Sequence, residues 1–175
     1  MAFGIDDALM TAAAGISLTD TVVKTVQSYR QRGGDPDLER LIEEVRITAL
    51  ERIDDADNAL ATLERTLRQK DVDLSKPMGD VISATPWWRP FEQYRLRRIN
   101  RSFNMLSDAT CNAVDDITAL LRCRDQTGDM GIAVVESAAA KEELRQSLLD
   151  VDSFEVAIKI LRDELLRHKT LLMQQ

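Results

Sequence analysis

His168, Cys111, Cys123 and the acidic run Asp54, Asp55 and Asp57 are the side chains of this sequence best equipped for chemistry. His168 is the one histidine in 175 residues. A carboxylate-bridged di-iron bundle needs paired Glu-x-x-His motifs, and here Glu164 lies four residues before the histidine, not three. The two cysteines are twelve positions apart in what reads as a single helix, roughly 18 Å along its axis. They cannot form a disulfide without destroying that helix. Zinc needs several converging thiolates or imidazoles, which two distant cysteines and one histidine do not supply. The three aspartates sit on an unbroken helical pattern, without the glycine-turned loop of a calcium site. Gly33-Gly34 joins two helices, so it is not a phosphate loop after a strand. No nucleophile elbow is present. The expectation is therefore a protein with no catalytic, cofactor-binding or metal-ligating residues, and not an enzyme. His168 is expected as a hydrogen-bonded residue in a helix seam. The thiols are expected to be free and buried in a reducing compartment.

Charge and aromatic content say more. Thr85-Pro86-Trp87-Trp88-Arg89-Pro90-Phe91 is the most distinctive local sequence in the chain. Arg89 precedes a proline, which pushes it away from helical angles. The segment therefore reads as a rigid corner carrying both tryptophans. Arg95, Arg97, Arg98 and Arg101 follow at once, in the first turns of a helix, where positive charge opposes the helix dipole. Such residues call for partners. The candidates are the aspartates at 54–57, another subunit, anionic lipid headgroups, or nucleic-acid phosphate. Tryptophan favours membrane interfaces. Nucleic acid is the poorest candidate, because the net charge of −7 opposes the counterion release that drives such binding.

The elements that position these groups follow from apolar periodicity. Leu38, Ile42, Val45, Ala49, Ile53, Ala56, Leu60, Leu63 and Leu67 recur in steps of three and four, one stripe of a helix. Asp35 can cap it and Pro36 suits its first position. A second stripe runs through Leu96, Ile99, Phe103, Leu106, Thr110, Ala113, Ile117 and Leu120. A third, heptad-like, contains Phe154, Ile158, Leu161, Leu165, His168 and Leu172. Asp152 or Ser153 is placed to cap that last helix, with Glu155 completing a capping box from Asp152. The predicted fold is all-α: one elongated helical bundle spanning residues 1–175, with about five helices. Three of them are long (5–32, 36–70 and 90–124), and a fourth covers about 132–149. Prolines and glycines between 71 and 90 mark a break holding at most a short helical turn. Helices near 50 Å in so small a chain leave much apolar surface to be covered by partner chains.

The first helix presents Ile5, Leu9, Ala12, Gly15, Ile16 and Val22, and residues 8–19 carry no charge. A run apolar or small on nearly every side is expected either as a core helix buried by its neighbours or as a segment that leaves the bundle for a bilayer. Gly15 weakens it by roughly 1 kcal/mol relative to alanine, which calls for a close contact or a bend. The run is short of the ~18 apolar residues of a membrane span, and no basic leader precedes it. Cytoplasmic placement is expected, with association at a membrane as a second location. An almost uncharged first helix, Phe3-Gly4-Ile5 and then 8–18, ahead of a bundle of long amphipathic helices, resembles the HeLo and HeLo-like cell-death domains of fungi and their bacterial counterparts. The resemblance implies that the first helix leaves the bundle on oligomerisation and perturbs a membrane. It transfers no individual active residue. Two functions are thus expected. One is non-enzymatic, helix-mediated assembly as a homo-oligomerising scaffold or an adaptor for another helical protein. The alternative is a membrane-perturbing effector whose first helix inserts in a bilayer, with Trp87, Trp88 and the nearby arginines meeting anionic headgroups.

Overall fold

Three amphipathic stripes separated by polar faces leave one economical solution, helices packed stripe to stripe. The computed structural model describes residues 4–30, 36–124 and 130–174. It is an all-α bundle, with six helices among the described residues: α1 (Ile5–Arg30), α2 (Pro36–Gln69), α3 (Met78–Ala84), α4 (Pro90–Arg124), α5 (Met130–Leu149) and α6 (Phe154–Met173). α1 packs on α4 and α2, α5 lies along α4, and α6 lies along α2.

The expected stripes form the core. Val45, Ala49, Ile53, Ala56, Leu60, Leu63 and Leu67 of α2 are buried, as are Leu96 to Leu120 at every expected position of α4. The α6 stripe, His168 included, is buried throughout. These seams are closed within the chain. The expectation that long stripes await partner chains is therefore corrected: five helices of 20 residues or more, α1, α2, α4, α5 and α6, pack on one another. A smaller cluster of Cys111, Val114 and Leu144 joins α4 to α5.

The expected helix count is one short. The break holds a complete short helix, α3, whose Met78 and Ile82 are one turn apart and both buried. The last helix is capped by Ser153, whose Oγ accepts from the Val156 N–H. The expected Asp152–Glu155 box gives way because Glu155 pairs with Arg68 of α2 instead. Two more N–H groups of that first turn, on Phe154 and Glu155, donate to the Lys76 and Leu74 carbonyls at 3.1 and 3.0 Å. The loop before α3 thus satisfies donors that a helix start leaves open. The last expected helix but one begins at Met130, slightly before 132. The expected cap at Asp35, the end of the first helix at 31–32, Phe3, and the Cys123 side chain lie outside the described residues.

α2 ends in a six-to-one and five-to-two hydrogen-bonded turn. Val72 N–H donates to the Leu67 carbonyl and Asp71 N–H to the Arg68 carbonyl, both at 3.1 Å. This places Asp71 at the left-handed position that glycine usually fills, with φ of 54°.

Candidate functional site

The corner between α3 and α4 is built by local chemistry. Arg89 N–H donates to the Pro86 carbonyl at 2.9 Å, a four-residue turn with Trp87 and Trp88 at its two central positions. The Arg89 carbonyl then accepts from Gln93 N–H at 3.1 Å, so α4 starts at once, with Pro90 at its first position. Gln93 Nε2 reaches back to the Ile82 and Thr85 carbonyls, each at 3.4 Å. That side chain fastens the end of α3 to the start of α4.

The turn throws both tryptophans outward. Trp87 is 82% exposed and Trp88 65%, with Phe91 at 88% and Tyr94 at 62%. The indole rings meet edge to face, with centroids 5.9 Å apart. Four large aromatic surfaces are left in water at one corner, while Phe103 and Phe154 pack together in the core at 4.5 Å.

The arginines surround this corner and are exposed. Arg89 pairs with Glu92 at 3.3 Å. Arg98 pairs with Asp6 and Asp7 at the start of α1. Arg95, Arg97 and Arg101 make no ion pair among the described residues. The Asp54 to Asp57 segment, one candidate partner, is engaged elsewhere. Asp54 accepts from Lys169 at 2.6 Å, Asp57 from Arg162 at 2.8 Å, and Asp55 from Arg52 at 3.4 Å. Asp54 and Asp57 belong to the antiparallel α2–α6 seam, where Arg46 also donates to the Leu172 carbonyl at 2.9 Å, while Asp55 pairs within α2. Sequence spacing alone did not show which helix would lie opposite them.

Beside the aromatic corner a cleft of about 310 Å³ lies between the end of α2 and the start of α4. Leu67, Val72, Leu96 and Ile99 give it an apolar floor, and Lys70 and Arg95 stand at its edge. Tyr94 and Lys70 were not anticipated as members of this site. Tyr94 is readable in hindsight, three residues after Phe91 on the same helix side. Lys70 is not, because it reaches the site only through the packing of α2.

The first helix sits differently from the corner. Ile5, Leu9, Ala12, Gly15 and Ile16 are all buried, and of the expected face only Val22 is exposed. Gly15 explains itself: a Cβ there would lie 2.9 Å from Cδ of Arg52 on α2. No helix among the described residues is long and apolar enough to cross a membrane.

The reactive groups are quiet. His168 is buried, and its Nδ1 lies 3.0 Å from the Glu164 carbonyl and 3.2 Å from Glu164 Oε1. Burial lowers its pKa below the ordinary 6.5, with the Glu164 carbonyl and carboxylate pulling the other way. Burial pushes the Cys111 thiol up to about 11, helped by Asp108, so the nucleophilic thiolate is scarce at neutral pH. Among the described residues no group of histidine, cysteine and carboxylate side chains is arranged to hold a metal ion.

No protein family, curated protein or solved structure matches this chain significantly; of the HeLo-like layout, the all-helical bundle alone is shown.

Proposed function

We propose that this is a non-enzymatic assembly protein, a homo-oligomerising scaffold or an adaptor for another helical partner, whose contact surface is the aromatic and basic corner. One observation carries the proposal. Trp87, Trp88, Phe91 and Tyr94 stand in water together within eight residues, four aromatic rings at one corner, while the other exposed large apolar side chains among the described residues, such as Leu149, Leu166 and Met173, are aliphatic. Exposed apolar clusters of this kind mark interaction sites. Tryptophan, tyrosine and arginine are the side chains that dominate binding energy at protein contacts. Arg95, Arg97 and Arg101 add charge for orientation and partner choice. Light scattering over a wide concentration range tests the scaffold form, and pull-down with a corner variant as control tests the adaptor form. A strict monomer with no corner-dependent partner removes both.

The second proposal is the membrane-perturbing effector led by α1, which the HeLo-like layout favours. Its specific support is the Arg98 contact with Asp6 and Asp7, a charge tie between a half-exposed guanidinium and the start of α1 that a change of charge can release. Release of α1 also requires withdrawing Leu9, Ala12 and Ile16 from the core. Liposome leakage by the wild type, lost in Ala12→Asp and Ile16→Asp, is the expected result. No leakage by any of them removes this function.

A further inference from the structure

We infer that the corner between α3 and α4 docks the intact bundle onto an anionic phospholipid surface, with the Lys70–Arg95 cleft receiving a headgroup phosphate. The inference rests on the proposal that this corner is the contact surface and goes beyond it, since a bilayer and a protein partner compete for the same four rings. It needs no helix to leave the bundle.

The aromatic composition fits the boundary layer of a bilayer. Trp87, Trp88 and Tyr94 each join a large apolar body to one polar handle, the combination that settles at headgroup depth. Phe91, the most exposed of the four, supplies the apolar point of the set. A shallow insertion of these rings removes apolar area from water without asking any backbone group to enter hydrocarbon.

Charge complementarity selects an anionic surface. Arg95, Arg97 and Arg101 are exposed and make no ion pair among the described residues, and Lys70 joins them from the turn just after α2. Each such cation near an anionic leaflet contributes about 1 kcal/mol, or roughly fivefold in partitioning. The chain as a whole carries −7, so most orientations are repelled and a corner-first approach is the one favoured. The same excess of acid weighs against nucleic acid as the occupant.

The cleft gives the surface a specific subsite. Its floor is apolar and its two edge cations approach from the turn that ends α2 and from α4, while its one acidic lining residue, Glu92, is held by Arg89. A phosphate at the edge with the upper acyl chain on the floor uses both kinds of lining. A small soluble anion uses only one.

Trp87 and Trp88 are the only tryptophans, so intrinsic fluorescence reports on the corner without a label. The full chain is titrated with phosphatidylcholine vesicles, with and without phosphatidylserine. A blue shift in emission is expected with the anionic vesicles alone, weakening as salt is raised. In vesicle co-sedimentation, Lys70→Ala and Arg95→Ala should each lose roughly fivefold in partitioning. Trp87→Ala/Trp88→Ala should lose about tenfold or more. All these side chains are exposed, and unchanged circular dichroism confirms folding. Soluble glycerophosphoserine should neither shift the emission nor compete. If it does both, the cleft is a free-anion site and the bilayer proposal fails. Unshifted emission with anionic vesicles also overturns it. If emission stays unshifted while mass still rises with protein concentration, the assembly proposal survives without the lipid. If neither changes and no partner binds the corner, both fail.

Discussion

Arg98 of α4 reaches back to the opening turn of α1, its Nη2 2.5 Å from Asp6 Oδ2 and 3.7 Å from Asp7 Oδ1. The basic run that borders the corner therefore also fastens the start of the first helix. Asp6 and Asp7 gain twice, from the arginine and from the positive end of their own helix. The guanidinium is half exposed, which keeps the pair near the weak end of the scale. Arg98→Glu should cost about 1 kcal/mol in denaturant unfolding, since repulsion replaces attraction. Amide exchange should accelerate in the first turn of α1 and not in α2. Uniform acceleration through the bundle would show that the contact holds more than this one end.

His168 predicts a pH dependence. Its folded pKa lies below the ordinary 6.5 because burial disfavours the charged ring. On acidification the unfolded chain takes up this proton first, so acid favours unfolding. The contribution is complete above about pH 6.5 and is lost as pH falls toward the depressed folded value. Wild-type stability should drop between about pH 7 and pH 5 more steeply than that of His168→Gln. Denaturant midpoints across that window measure the difference. Equal slopes in the two proteins would contradict a buried neutral imidazole.

Asp71 stores local strain. A side chain in the left-handed region costs about 1 kcal/mol where glycine costs little. The turn is otherwise complete, with both hydrogen bonds made and Val72 packed on the core. Asp71→Gly should therefore raise stability by roughly 0.5–1 kcal/mol, measured as a shift in denaturant midpoint without a change in slope. A loss of stability would mean that the aspartate side chain contributes more than its backbone conformation costs.

Gly15 balances two effects of similar size. Alanine gains about 1 kcal/mol in helix propensity and displaces Arg52, whose Nε is buried without a hydrogen bond. The displaced atom is the middle of the Arg52 side chain, so the whole side chain must move, which offsets the propensity gain. Gly15→Ala should be neutral to mildly stabilising, whereas Gly15→Leu should cost about 1–3 kcal/mol by forcing α1 from α2. Thermal unfolding of both variants checks the order. A large loss in Gly15→Ala would show that Arg52 cannot move.

How far the molecule was legible in its sequence depended on the range of each interaction. Leu60, Leu106 and Leu161 were readable as core because helical periodicity is local. The corner at 85–91 was readable because two prolines act on their immediate neighbours. The partner of Arg98, the approach of Lys70 to Arg95 and the seating of Asp54 against Lys169 were not. Each joins positions far apart in the chain, and nothing in the spacing says which stripes face each other. Ser153 prevailed over the Asp152 box for the same reason, since Arg68 of α2 engages Glu155. Asp71 carried no signal either, because the residue that would advertise a left-handed turn is glycine. A small-residue helix fits closely against two long ones, while the rings at 87, 88, 91 and 94, on the turn after α3 and the start of α4, stay exposed among the described residues.

The central claim is that the rings at 87, 88, 91 and 94 form the surface through which this protein assembles. Light-scattering mass across a concentration series, for the wild type beside Trp87→Ala/Trp88→Ala/Phe91→Ala, tests it most directly. The account predicts a wild-type mass that climbs above the monomer with concentration and a folded variant that stays monomeric. A wild type that climbs while the folded variant climbs equally would place the assembly surface elsewhere and contradict it.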